Sequence, residues 1–237
     1  LAHHLLAYVE MLERDKGRLI DTIKRTNSMP LGSCALSGTS LPIDRNYVTK
    51  HLGLATTTQN SIDSVSDRDF IVEGLSNLAI LGMHCSRMAE DLILWATAEF
   101  DFIQLDSSLC TGSSIMPHKK NPDILELIRG ETSKIYSNLS SVLVLMKGLP
   151  LAYNRDLQLD KPSLFESIEK VVSILQLLVK TFSGIEVNTQ SLGKRLEDEY
   201  FYSVDIMEYL IKKGVSYRQA HDTVGVMVRE CLDKGEK

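Results

Sequence analysis

The chain has 237 residues, enough for one sizeable core or a large domain with a small appendage. Apolar residues make up 43% and charged residues 24% with a net charge of −5, which argues against global disorder, and Lys and Arg spread along the chain without a basic stripe, which argues against nucleic acid as a partner. No apolar run approaches the roughly 20 residues that span a bilayer, so no membrane partner is expected. Cys34, Cys85, Cys110 and Cys231 are scattered, with no CxxC metal or redox pair, and point to a reducing compartment, the cytoplasm.

Helical periodicity opens the chain, with Leu5, Val9, Leu12, Leu19 and Ile23 on one predicted face. Residues 27–54 hold Pro30, Gly32, Gly38, Pro42 and Gly53 and read as a long loop with little regular structure. A long helix is predicted over 61–96, with Ile71, Leu75, Leu78, Cys85 and Leu92 on one face. Beside them runs a stripe of small residues, Ala79, Gly82, Ser86 and Ala89, that admits a neighbouring helix closely. Further helices are predicted over 122–146 and 161–182, then a short strand over 185–187, then helices over 202–212 and 217–232. Helices of this length exceed the usual mean of about 11–12 residues. They predict an all-α fold, an extended long-helix bundle over residues 1–190 with part of a small helical C-terminal domain over 191–237.

The segment from Thr111 to Asp123 reads TGSSIMPHKKNPD. Gly112 permits unusual backbone angles, so that following amides can face a ligand. Asn121 as cap, Pro122 at the first helical position and Asp123 in the first turn make a strong predicted helix start. Ser113, Ser114, Lys119 and Lys120 gather hydroxyls and cations at that positive terminus, which suits a carboxylate. The same residues equally suit a polar linker ahead of a well-capped helix. A nucleophilic serine is the weaker alternative, since there is no Gly-x-Ser-x-Gly elbow.

Residues 112–122, GSSIMPHKKNP, resemble the GSSxMPxKxNP signature of the fumarase/aspartase superfamily. Residues 147–161, KGLPLAYNRDLQLDK, resemble the KGLPxxYNxDLQxDK segment of argininosuccinate lyases. PLGS from Pro30, RDF from Arg68 and RQAH from Arg218 have counterparts in that family too. The resemblance covers nearly the whole chain and implies a lyase that eliminates fumarate from argininosuccinate to release arginine, in arginine biosynthesis, without metal or cofactor. By resemblance Ser113 is the general base, Lys119 neutralises the substrate carboxylate, and Glu126 orients a histidine from another subunit. Ser114, Asn121, Tyr153, Gln158 and Lys161 then hold the substrate, while Arg68 is either a substrate contact or a structural ion pair. Lys120 is a solvated neighbour, and His84 and His221 are packed or capping. The family implies a homotetramer with shared active sites. It also implies an N-terminal domain and a histidine segment ahead of Leu1, without which the chain alone is expected to be inactive. Two other readings stand beside this one: a non-enzymatic structural protein like the δ-crystallins, or another superfamily lyase such as adenylosuccinate lyase.

Overall fold

A computed structural model describes residues 1–116, 118–197 and 199–235, so that Pro117 of the serine segment and residues 198, 236 and 237 lie outside the described residues. The structure is 69% helical, an all-α architecture. In chain order it comprises α1 (Ala2–Thr26), β1 (Ser28–Met29), α2 (Arg45–Leu52), β2 (Thr56–Thr57), α3 (Ser61–Ser66), α4 (Asp69–Trp95), β3 (Ile103–Leu105), β4 (Thr111–Gly112), β5 (Lys120–Asn121), α5 (Asp123–Met146), α6 (Asp160–Ser183), β6 (Ile185–Val187), α7 (Thr189–Leu196), α8 (Ser203–Lys212) and α9 (Tyr217–Lys234). Two compact units form. One contains Leu1–Leu94 and Leu105–Ile185, the other Trp95–Gln104 and Glu186–Lys237.

In the first unit α4 is buried along both sides. Ile71 and Leu75 meet Val142 of α5 in a core joined by Leu139, Met146 and Leu164. The small-residue stripe works as expected at Gly82, where a Cβ would stand 3.2 Å from Ile135 Cδ1 of α5. The single helix predicted over 61–96 is instead two, because the backbone leaves the helical region at Asp67, with ψ 132°, before α4 begins. Asn60 Oδ1 accepts from the amides of Ile62 at 2.9 Å and Asp63 at 3.1 Å.

The apolar face predicted for α1 packs only in part. Leu5, Leu12 and Leu19 are half-buried, whereas Val9 and Ile23 remain 50% and 65% exposed, and the buried residues of α1 are Tyr8, Asp15 and Thr22. Each pairs with a polar residue of α4. Tyr8 donates to Asp91 at 2.6 Å, Asp15 Oδ2 lies 2.6 Å from His84 Nδ1, and Asn77 donates to Thr22 at 2.7 Å. The spacing is seven residues on both helices, running in opposite directions, so the two helices lie antiparallel along a polar seam. Buried polar groups satisfied in this way fix one register, where a purely apolar seam would accept several.

The segment predicted as an irregular loop over 27–54 contains α2 and β1. Asp44 caps α2 by accepting from the Tyr47 amide at 2.9 Å. β1 pairs in parallel with β2. Arg45 organises the remainder: its Nε donates to the Leu31 carbonyl and its guanidinium to the Thr58 carbonyl, both at 2.8 Å. One fixed fork of donors thus satisfies carbonyls that a sequence pattern leaves unassigned.

In the second unit Asn188 caps α7 by accepting from the Ser191 amide at 3.1 Å, and its Nδ2 donates to Asp101 at 2.8 Å. Arg195 donates to the Glu99 carbonyl at 2.8 Å. α8 and α9 form a helical hairpin through Gly214, whose φ of +93° suits glycine, and Ser216 caps α9.

Candidate active site

The serine segment is a loop on a narrow neck. β4 and β5 pair antiparallel, Thr111 opposite Asn121 and Gly112 opposite Lys120. Thr111 Oγ1 donates to the Asp123 carboxylate at the start of α5, and Lys120 donates to Ser107 Oγ at 2.9 Å. Asn121 is therefore a strand residue rather than the helix cap. The cap position is Pro122, whose side chain has no acceptor to cap with; its carbonyl accepts the amides of Leu125 at 2.9 Å and Glu126 at 3.1 Å. Lys120, read as a solvated neighbour, is exposed and also straps the neck.

Ser113 leaves this neck half-buried, with its Oγ accepting from the amides of Ile115 at 3.2 Å and Met116 at 3.0 Å. Two amide dipoles converging on one hydroxyl oxygen favour negative charge there. Ser114, Lys119 and Glu126 are exposed, and Asn121 is half-buried. Ile115 is 87% exposed on the outer turn of the loop. Asp123 and Glu126 both lie in the first turn of α5, where the helix dipole favours acids.

The second group of candidate residues follows α5. Ala152 stands at φ +116°, a strained conformation for a residue with a Cβ. Asn154 braces this turn, its Nδ2 donating to the Pro150 carbonyl at 3.0 Å. Tyr153 is presented outward, 48% exposed, and Gln158 is exposed on the 3₁₀ turn Arg155–Leu159 that leads into α6. Lys161 lies in the first turn of α6 beside a pocket of about 490 Å³. Arg68, Arg25, Ser28, Thr58 and Ser64 also line that pocket, and the Ser64 hydroxyl is buried without a hydrogen-bond partner.

Arg68, which lines that pocket, also makes an ion pair. Its Nε donates to Asp160 at 2.7 Å, and its side chain is only 15% exposed. Asp160 and Asn154 are the residues that motif reading passed over. Asp160 sits inside the segment quoted above, and an acid opening a helix was the available signal.

α5 divides the two groups. It holds 24 residues, about 36 Å at about 1.5 Å per residue, with Ser113, Lys119, Asn121 and Glu126 at its start and Tyr153, Gln158 and Lys161 beyond its end. Of the remaining candidates, His84 is packed, as expected, against Asp15, while His221 is exposed.

A sequence profile for a family described as "Lyase" matches residues 1–137, and one described as "Argininosuccinate lyase C-terminal" matches residues 200–237. The chain is 49% identical over 232 residues to an argininosuccinate lyase of Pelobacter propionicus, covering 98% of this chain and 51% of that protein. It is 50% identical over 234 residues to that of Bacillus thuringiensis, covering 99% of this chain and 51% of that protein. The chain thus spans about half the length of the curated relatives it matches. Among solved structures, an EDDS lyase variant with bound fumarate superposes with a TM-score of 0.85 at 27% identity, covering 99% of this chain and 47% of that one. A class II fumarase from Schistosoma mansoni superposes with a TM-score of 0.82 at 16% identity, covering 100% of this chain and 53% of that one, a likeness of fold.

Proposed function

Because the chain belongs to the lyase family, we propose that it supplies the serine loop and part of the substrate-holding surface of an argininosuccinate lyase, which forms arginine and fumarate in the cytoplasm. The reaction removes a proton from the carbon beside a carboxylate, and the electron pair passes into that carboxylate as a dianion. The C–N bond then breaks with its electron pair going to nitrogen, releasing fumarate and the guanidine of arginine, which takes up a proton to become the guanidinium. The difficult charge is the second negative charge on a group already anionic, which fixed donors and a nearby cation stabilise.

Ser113 takes the proton in this reading. A serine hydroxyl is too weak an acid to serve unaided, and the observation that carries the assignment is the convergence of the Ile115 and Met116 amides on its Oγ. Those dipoles, with the charge of Lys119, stabilise an anionic oxygen. Lys119 neutralises the substrate carboxylate, Ser114 and Asn121 hydrogen-bond the fumarate moiety, and Glu126 orients a histidine contributed by another subunit. Tyr153, Gln158 and Lys161 hold the remainder of the substrate.

The length of α5 supports an active site shared between copies. A group at its start and a group beyond its end cannot close on one small molecule within a single chain. The exposed apolar residues Leu6, Val9, Ile20 and Ile23 of α1 and Phe165, Ile168, Val172 and Val179 of α6 are available to neighbouring copies. A homotetramer, with its bundle running to about residue 190 and a small helical domain beyond, is the proposed assembly.

The test uses a full-length relative carrying this sequence in place of its own matching half. Ser113→Ala is expected to cut fumarate release by about 10²–10⁴-fold, the usual contribution of a general base, with argininosuccinate binding retained. Retention of more than about a tenth of the turnover, a loss below that range, removes Ser113 as the base. Mixing Ser113→Ala with Lys161→Met subunits is expected to restore part of the activity, because some sites in the mixture would receive both intact groups. No recovery on mixing counts against shared sites.

A further inference from the structure

Asp160 opens α6 with its carboxylate fully buried, at 0% exposure. Its Oδ2 accepts from Arg68 Nε at 2.7 Å, and its Oδ1 lies 3.2 Å from the Lys161 ammonium. The two cations differ in kind. Arg68 is 15% exposed and held independently, since its guanidinium also donates to the carbonyls of Val65, at 3.3 Å, and Asp67. Lys161 is 56% exposed and has four rotatable bonds between backbone and charge.

Arg68 alone compensates the buried charge of Asp160, so neutrality does not require a second cation. Lys161 moreover stands at the N-terminal end of α6, where the helix dipole disfavours positive charge. Left to itself, a lysine in that position extends into water among many rotamers. The carboxylate immediately before it removes both effects, and the corner between α3 and α4 fixes the carboxylate through Arg68.

We propose that Asp160 is a positioning residue, which pins the Lys161 ammonium at the edge of the pocket lined by Arg68, Ser28, Thr58 and Ser64. Lys161 then meets an anionic group of the substrate, a carboxylate, with its rotamer already selected, so less ordering remains to oppose binding. The pinning itself stands on the geometry above, whereas its consequence for substrate rests on Lys161 being a substrate-holding residue of a lyase.

A lysine acylates through its amine, and one held against a carboxylate presents that amine to a reagent less often than one extended into water. Acetic anhydride labelling of this chain, resolved by peptide mass spectrometry, compares Lys161 with the exposed Lys134 of α5. Lys161 is expected to react about two- to fivefold more slowly than Lys134 in the folded chain, the range a partly exposed ion pair supports, and equally fast in concentrated urea. Asp160→Asn is expected to erase the difference with helicity retained. Arg68→Gln is expected to widen it, because Asp160 then has Lys161 as its sole cation. A role confined to structure leaves the Lys161 to Lys134 ratio unchanged by either substitution. Equal rates for the two lysines in the unsubstituted folded chain overturn the proposal, whether or not the variants fold.

A second measurement separates this proposal from the functional reading. In the full-length relative carrying this sequence, Asp160→Asn is expected to raise KM for argininosuccinate severalfold with kcat less affected. Lys161→Met is expected to show the same split, with the double substitution no worse than Lys161→Met alone. A shift in labelling without a change in KM leaves Asp160 as the anchor of Lys161 and removes Lys161 from the substrate site.

Discussion

His84 Nδ1 and Asp15 Oδ2 lie 2.6 Å apart, with both side chains under 10% exposed, in the middle rung of a polar seam between α1 and α4. Asp15 also accepts from Arg18 at 2.8 Å, so its two oxygens are both engaged. Truncating one partner strands the other in a site with little access to water. Asp15→Ala is expected to destabilise the first unit by about 1–3 kcal/mol, the usual cost of leaving a buried hydrogen-bonding group without its partner. Asp15→Leu with His84→Leu is expected to cost far less, since replacing both polar partners with apolar ones can be nearly neutral. Urea unfolding of Asp15→Leu, His84→Leu and the double variant gives the coupling energy directly. Additive losses would show that the pair does not act as a unit.

Gly82 marks a close approach of α4 and α5. Its missing Cβ would meet Ile135 Cδ1 at 3.2 Å and Thr132 Cγ2 at 3.6 Å. Both neighbours are buried, at 0% and 4% exposure, so neither can swing aside freely. Gly82→Val is expected to destabilise by about 1–3 kcal/mol through overpacking, despite the better helix propensity of valine. Gly130 on α5, with open space around its Cα, is the control. Gly130→Ala is expected to stabilise by up to about 1 kcal/mol. Thermal unfolding of the two variants checks the contrast in sign.

Cys85 is fully buried on α4, and burial, with a smaller contribution from the Asp15 carboxylate, pushes its thiol up to about 12. The folded value therefore lies above the unfolded one, and the neutral thiol is the form the fold prefers. The resulting stability is complete below the ordinary thiol range near about 8.5 and declines as pH rises from there toward about 12. Cys85→Ala is expected to flatten this alkaline decline, with a slope change of up to about 1.4 kcal/mol per pH unit. With a thiol reagent at neutral pH the exposed Cys34 is expected to react first and Cys85 last. Early modification of Cys85 in the folded chain contradicts its burial.

Lys119 separates electrostatic holding from proton transfer in the proposed reaction. Its charge would touch the substrate carboxylate both before and during elimination. Lys119→Met in the full-length relative carrying this sequence is therefore expected to weaken binding and turnover together, whereas Ser113→Ala lowers turnover alone. Calorimetric titration beside a fumarate-absorbance assay distinguishes the two. A Lys119→Met variant with unchanged affinity would confine that lysine to the transition state.

The sequence by itself determined the helices of the bundle and the two segments that carry the family signature. Both are local: α5 and α6 follow from apolar spacing within a single helix, and Ser113, Lys119 and Asn121 fall within nine consecutive residues. Local rules fail where an interaction is made across the chain. Apolar spacing selected Leu5, Val9, Leu12, Leu19 and Ile23 as the packed face of α1, of which Val9 and Ile23 stay exposed, whereas the fold buries Tyr8, Asp15 and Thr22, because their partners on α4 lie 83, 69 and 55 residues away. Nothing within α1 records those partners, and a polar residue counts against burial until its hydrogen bond is known. Arg68 was open between substrate and structure for the same reason, since Asp160 is 92 residues distant. The order in Asn27–Leu54 likewise depended on Arg45 reaching carbonyls of Leu31 and Thr58 on either side of it. Tertiary structure decided these points because the free energy of a buried polar group depends on the partner it meets, and that partner is brought to it only by the folded chain.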